Sequence, residues 1–155
     1  MRRVQPTAHA AVEKEGGFLV AELCVEAAAE NLDTVLKFVD DILDGCGCSP
    51  KIQRQLNIAV EELFVNIANY AYDKVNGMVT VQVSVYEAPL RVEITFIDNG
   101  KQYDPLSKPD PDITLHATKR NIGGLGIFMV KKNMDYVCYE YKDGKNILLL
   151  KKNLT

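Results

Sequence analysis

The stretch 56–72, LNIAVEELFVNIANYAY, runs for seventeen residues without glycine or proline, so a chain that contains it must accommodate one long helix. Pro50 suits that helix's first turn, where a missing N–H costs no hydrogen bond, and Ser49 suits the cap before it. Leu56, Val60, Leu63, Ile67 and Ala71 recur at steps of four, three, four and four, which is one face of a 3.6-residue period. At about 100° per residue, Gln55, Glu62, Asn66, Asn69 and Asp73 fall on a second, polar stripe. Glu62 and Asn66 are one turn apart, so their side chains can point at one spot. Ile58, Val65 and Ala68 flank the stripe, which leads us to expect that it borders buried surface. Asn is a poor helix former because its amide competes for backbone hydrogen bonds. Two interior Asn residues therefore point either to a function or to a solvated face, and the helix alone does not choose.

The rest of the chain arranges itself around that helix. Residues 1–17 are polar and rich in small side chains, and read as a flexible N-terminal arm or at most a frayed extension of the first strand. Residues 18–155 then read as a single domain. Phe18–Glu26 is apolar enough for a strand, with helix as the rival for its Ala-rich end. Leu32, Val35, Leu36, Val39 and Leu43 give Glu30–Leu43 a helical period. Met78–Glu87 and Leu90–Ile97 alternate strictly in β-branched and polar residues, and the short Ala88-Pro89 connection favours an antiparallel hairpin. Gly123–Gly126 opens a helix through about Asn133, and Tyr136–Lys142 and Asn146–Lys152 form a second hairpin around Asp143-Gly144. The order β-α-α-β-β-loop-α-β-β predicts an α+β fold, a two-layer sandwich with helices covering one face of a mostly antiparallel sheet.

Composition narrows the function classes. A chain of 155 residues buries about 68–70% of its unfolded surface, so no metal or disulfide staple is required. A net charge of −3 argues against a nucleic-acid binder that works through a broad basic surface. No apolar run reaches a membrane span, and residues 4–17 lack the apolar core of a secretory signal, so a cytoplasmic address is the expectation. Cys46-Gly47-Cys48 has no second pair and no nearby His, and Cys24 and Cys138 stand apart, so the cysteines read as core or loop thiols.

Three constellations carry possible chemistry. In Glu62-x-x-x-Asn66, a carboxylate can take a proton and an amide oxygen can ligate Mg²⁺, a hard cation that uses few protein ligands. In Asp98-Asn99-Gly100, at a strand end, the carboxylate can accept a hydrogen bond and the glycine lets a flat ligand approach the backbone. An ordinary Asp–Gly turn is the commoner meaning of that triplet alone. In Gly123-Gly124-Leu125-Gly126, a helix start offers free N–H groups and a positive end to phosphates, although the run is neither a dinucleotide fingerprint nor a Walker loop. A flexible linker into a helix has the same glycines. The breaker-rich segment 98–122 before it is long enough for a lid, and Lys119 and Arg120 near its end are either phosphate-facing or simply solvated.

Taken in order, Glu-x-x-x-Asn on a long helix, a hairpin ending in Asp-x-Gly, a lid-length loop and GGLGI opening a helix resemble the GHKL (Bergerat-type) ATPase superfamily. More closely, about residues 18–152 are similar to the stand-alone anti-sigma factor serine/threonine kinases. The resemblance implies ATP and Mg as cofactors. It places Glu62 at the general base, Asn66 at the metal ligand, Asp98 at the adenine-binding carboxylate and Gly100 beside it. It likewise places Gly123, Gly124 and Gly126 around the phosphates, Arg120 at the end of the lid, and Asp104-Pro105 just after the Asp98 box. Many relatives carry Gly-Thr near the last strand, where Lys145-Asn146 stands here, so Asn146 takes the place of a nucleotide-contacting Thr. Tyr70 occupies the position of a common His and is assigned to packing. Glu61 lies about 100° around the helix from Glu62 and is assigned to structure.

The resemblance further implies a protein kinase whose acceptor is a small anti-anti-sigma (STAS-domain) protein, with a sigma factor as competing partner, and a homodimer. The alternative is a non-catalytic module whose affinity for a partner is gated by ATP and ADP. A plain ATP hydrolase is a weaker third reading, because the chain shows no second domain to harness turnover.

Overall fold

The computed structural model describes residues 7–14, 18–73, 77–107, 109 and 125–155. Arg120, Gly123 and Gly124 lie outside them, as do Lys119 and most of the segment read as a lid.

The long helix forms as its sequence demands. α2 spans Pro50–Tyr70, and the Ser49 hydroxyl accepts a hydrogen bond from the Ile52 N–H at 3.3 Å, satisfying one of the helix's free donors. α1, Leu32–Gly45, precedes it and follows a 3-10 turn at Ala29–Asn31. α3 spans Leu125–Asn133. The strands are β1 (Thr7–Lys14), β2 (Phe18–Glu26), β3 (Met78–Tyr86), β4 (Arg91–Asp98), β5 (Tyr136–Lys142) and β6 (Lys145–Asn153). They make one six-stranded sheet in the order β1-β2-β3-β4-β6-β5, with every described pairing antiparallel. Asp143 and Gly144 both take positive φ (54° and 76°), which gives the tight turn between β5 and β6 the twist its strands need.

The alternation in β3 and β4 decides which face is buried. Val79, Val81, Val83 and Val85, with Val92, Ile94 and Phe96, point inward. They meet Val35, Val39 and Leu43 of α1, Leu56, Val60, Leu63 and Phe64 of α2, and Ile127 and Val130 of α3 in one core. This is the two-layer α+β sandwich expected from the order of elements, with the helices on one face.

Two expectations are corrected. Of residues 1–17, read as a flexible arm or at most a frayed extension of the first strand, Thr7–Lys14 pair along β2 with a bulge between His9 and Val12. The outer edge of β2 supplies the N–H and C=O partners, and β1 becomes the sheet's edge in turn. Ile58, expected to flank buried surface, is 49% exposed, whereas Ala59 and Phe64 are buried. The core face of α2 is thus rotated towards Phe64, and the Glu62–Asn66 stripe has solvent on one side and α3 on the other.

Candidate functional site

The site is built from the end of β4 outwards. Asp98 occupies the last inward-facing position of that strand, so the same alternation that buries Phe96 buries a carboxylate, leaving it only 5% exposed. A buried carboxylate needs donors. The Gly100 N–H and the Asn146 side-chain amide supply them, at 2.8 and 2.9 Å, and both reach the same oxygen, Oδ1. Asn146 is available because the β4–β6 register sets it directly opposite Asp98. Among the described residues, Oδ2 receives no protein hydrogen bond, and Asp98 lines an open cleft.

The turn after Asp98 is fixed from two sides. Lys101 donates its N–H to the carbonyl of Ala71, at the end of α2, at 3.0 Å. Gly100 lies so close to that carbonyl that a Cβ would fall 2.3 Å from its oxygen, so the glycine is required by contact rather than by its φ. Tyr72, which sequence reasoning passed over, donates its hydroxyl to the Met78 carbonyl at 2.8 Å and accepts the Asn99 N–H at 2.9 Å. Burial pushes its phenol above the ordinary range, and the nearby Asp98 charge adds to this. No periodicity signals such a bracket; only its position at the helix end could have.

Asn146 does more than pair with Asp98. Its amide nitrogen also donates to the Lys101 carbonyl at 2.9 Å, and its amide oxygen accepts the Tyr103 N–H at 3.2 Å and the Tyr139 hydroxyl. The residue lines the cleft while both ends of its amide are engaged with the protein. The cleft is open, with about 430 Å³ of space when the solvent at its mouth is counted. Leu63, Ile67, Phe96, Pro105 and Leu148 make apolar walls, Asp98, Asn146 and Tyr139 the polar end, and Lys101 and Tyr103 the rim. Such a box suits a flat ring with one hydrogen-bond donor aimed at Asp98. Tyr70, assigned to packing, is half exposed and meets the Tyr103 ring at a centroid distance of 6.3 Å. Asp104 caps the short turn at Pro105–Ser107 by accepting the Leu106 N–H at 2.8 Å.

Asn66 also lines this pocket, and Glu62 stands one turn further back along α2. The Asn66 amide nitrogen donates to Glu62 Oε1 at 3.3 Å, so the two side chains do converge. With its nitrogen turned to Glu62, Asn66 keeps its oxygen for another partner. Gly126, in the first turn of α3, packs against the same carboxylate: a Cβ there would lie 2.1–2.4 Å from its carbon and oxygens. The start of α3, with its positive end, is therefore seated on Glu62. Among the described residues, Glu62, Asn66 and Gly126 form one cluster and Asp98, Gly100 and Asn146 another, with Asn66, Asp98 and Asn146 lining the cleft. Glu61 is exposed on a different face of α2.

The family model for the histidine kinase-like ATPase domain matches residues 25–152, almost the whole described fold and every one of these residues. The chain belongs to the histidine kinase-like ATPase family. Members similar to it include the serine-protein kinase RsbW of Listeria monocytogenes, 30% identical over 115 residues that cover 71% of this chain and 72% of the relative. The serine-protein kinase RsbW of Bacillus cereus is 27% identical over 134 residues, covering 84% and 82%. The ATPase domain implies use of ATP, and the relatives to which the chain is similar are serine-protein kinases. No described helix is long and apolar enough to cross a membrane.

Within this family's frame, the donor set near Glu62 suits a hard cation that takes little from the protein. Among the described residues, no three His, Cys, Asp or Glu side chains cluster to hold a metal. Asn66 Oδ1 is a hard, neutral oxygen, the type of ligand Mg²⁺ accepts while it keeps waters and phosphate oxygens for its other positions.

Proposed function

We propose that this protein is an ATP-dependent serine/threonine kinase of the anti-sigma factor type, acting in the cytoplasm as a homodimer on a small STAS-domain acceptor, with a sigma factor as a competing partner. The observation that carries the reading is the alignment of two unlike ends along one helix. Asp98 and its turn abut Ala71, whereas Asn66 and Glu62 lie further back along α2. At ~1.5 Å per residue, the step from Ala71 to Glu62 covers about 14 Å, the scale of an extended nucleoside triphosphate.

Asp98 Oδ2 accepts a hydrogen bond from the base, and Gly100 leaves the backbone low enough for the ring to approach. Asn66 would hold Mg²⁺, which would offset the charge of the phosphates. Glu62 takes the proton from the acceptor's Ser or Thr hydroxyl; that oxygen bonds to the γ-phosphorus, and ADP leaves. Gly126, with Gly123 and Gly124, gives the phosphates backbone N–H groups at a helix start, and Arg120 adds positive charge. Positioning and fixed electrostatics supply most of the acceleration.

The first test is a melting curve with Mg-ATP, Mg-ADP and neither, on wild type and Asn66→Ala. Nucleotide at about 100 times its dissociation constant should add ~2.7 kcal/mol, roughly 5–10 °C at this chain length. Asn66→Ala should shrink the shift. No shift at millimolar nucleotide would remove the ground for the proposal. Phosphotransfer to candidate STAS proteins follows, and a protein that binds ATP without transferring phosphate would be the nucleotide-gated module instead.

A further inference from the structure

The polar end of the cleft contains one side chain to which no role has yet been given, Tyr139 of β5. We propose that Tyr139 is a positioning residue for base recognition: its hydroxyl fixes the Asn146 amide, which in turn holds one oxygen of Asp98 and leaves the other for the 6-amino group of a purine. This rests on nucleotide binding at the site described above.

An Asn amide can turn by 180°, exchanging donor for acceptor. Here the orientation matters, because Asn146 faces a carboxylate oxygen (Asp98 Oδ1, 2.9 Å) and a carbonyl (Lys101, 2.9 Å) on one side. On the other side it faces the Tyr103 N–H (3.2 Å) and the Tyr139 hydroxyl. Turned the wrong way, the amide oxygen would oppose the Asp98 carboxylate and its nitrogen would oppose the Tyr103 N–H. Asp98, the Lys101 carbonyl and the Tyr103 N–H select that orientation, because a phenol can either donate or accept; Tyr139 adds a second hydrogen bond to Oδ1 and so holds the selected amide in place. It can do so because β5 runs beside β6 and Tyr139 pairs with Leu148, an inward position two residues beyond Asn146. Burial, followed by the negative charges of Asp104 and Asp98, pushes the phenol above its ordinary range, which keeps it protonated as a donor. The Tyr139 ring also forms part of the cleft wall, so replacing Tyr by Phe removes the hydrogen bond and keeps the wall.

The test is a cycle between the protein and the ligand. ADP and its analogue without the 6-amino group, purine riboside diphosphate, are titrated by calorimetry into wild type, Tyr139→Phe, Asn146→Ala and the double variant. Tyr139→Phe should weaken ADP about fivefold, the worth of one hydrogen bond, and leave the analogue nearly unchanged. In the Asn146→Ala background, Tyr139→Phe should have no further effect on ADP. Equal weakening of both nucleotides, no weakening, or additive effects in the double variant would each overturn the inference, since a merely structural tyrosine produces them. Wild type that binds ADP no better than the analogue would overturn it while leaving nucleotide binding intact. Wild type that binds neither would overturn both.

Discussion

The two side-chain clusters along α2 are built on opposite principles, and two glycines display the difference. At the Asp98 end, the position a Cβ would take on Gly100 is filled by backbone, the Ala71 carbonyl. Around it the Asp98 and Asn146 side chains, the Lys101 carbonyl and the Tyr103 N–H are joined by hydrogen bonds of 2.8–3.2 Å. At the Glu62 end, the same position on Gly126 is filled by the tip of a side chain, and one 3.3 Å hydrogen bond joins Glu62 to Asn66. The Asp98 end is locked into the sheet by register; among the described residues, the Glu62 end rests on the α2 face and on Gly126. On the proposed reading, recognition falls to the rigid part of the molecule and proton transfer to the adaptable one.

Substitutions should separate the two ends. The largest effect expected is that of Glu62→Gln, which removes the proton acceptor: phosphotransfer to a STAS acceptor should fall by about 10²- to 10⁴-fold, with ADP affinity within about twofold of wild type by calorimetry, since the lost step lies outside the base pocket. Next comes Gly126→Ala. The added methyl should push the Glu62 carboxylate aside and slow transfer on the order of 100-fold. Its melting midpoint should stay near that of wild type, because only a side-chain tip has to move. If the midpoint fell sharply instead, the reacting end would be as rigid as the base end and the contrast would be lost.

Asp98→Asn should weaken ADP about tenfold to a hundredfold, as expected when a charged hydrogen-bond partner is removed. Gly100→Ala should act on stability, costing about 1–3 kcal/mol as an overpacked contact, read as a lowered urea midpoint. A smaller effect is expected at high pH. Tyr72 and Tyr139 both have phenols pushed above the ordinary 10.0, burial being the main cause in each. Their contribution to stability is full below the ordinary value and is lost as pH rises through the raised folded values. In alkaline melts, Tyr72→Phe or Tyr139→Phe should therefore flatten the fall in stability above about pH 10; an unchanged slope would mean that these phenols do not sense the fold.

Much of this was legible before any coordinates. The Ser49-Pro50 start of α2, the Val79–Val85 alternation and the Asp143-Gly144 turn are local patterns, and local patterns follow from the steric and hydrogen-bonding needs of a few neighbouring residues. Glu62 and Asn66 could be paired because a helix fixes the relation of positions four apart. Thr7–Lys14 was not legible, because an edge strand with small, polar side chains is defined by the neighbour it completes. Nor was the tilt of α2 that exposes Ile58 and buries Phe64, since a helix with several apolar flanks has more than one way to face a sheet.

The sequence by itself determined the elements, their order and the chemical types available to the site. Only the tertiary structure decided that Asn146 is occupied in holding Asp98, that Tyr72 and Tyr139 brace the pocket, and that Gly126 rests on the Glu62 carboxylate. Each of these depends on strand register or on the approach of segments distant in the chain, 27 residues apart for Tyr72 and Asn99 and 48 for Asp98 and Asn146. Periodicity along a chain shows which way a residue faces; what it meets there is fixed only when the layers pack.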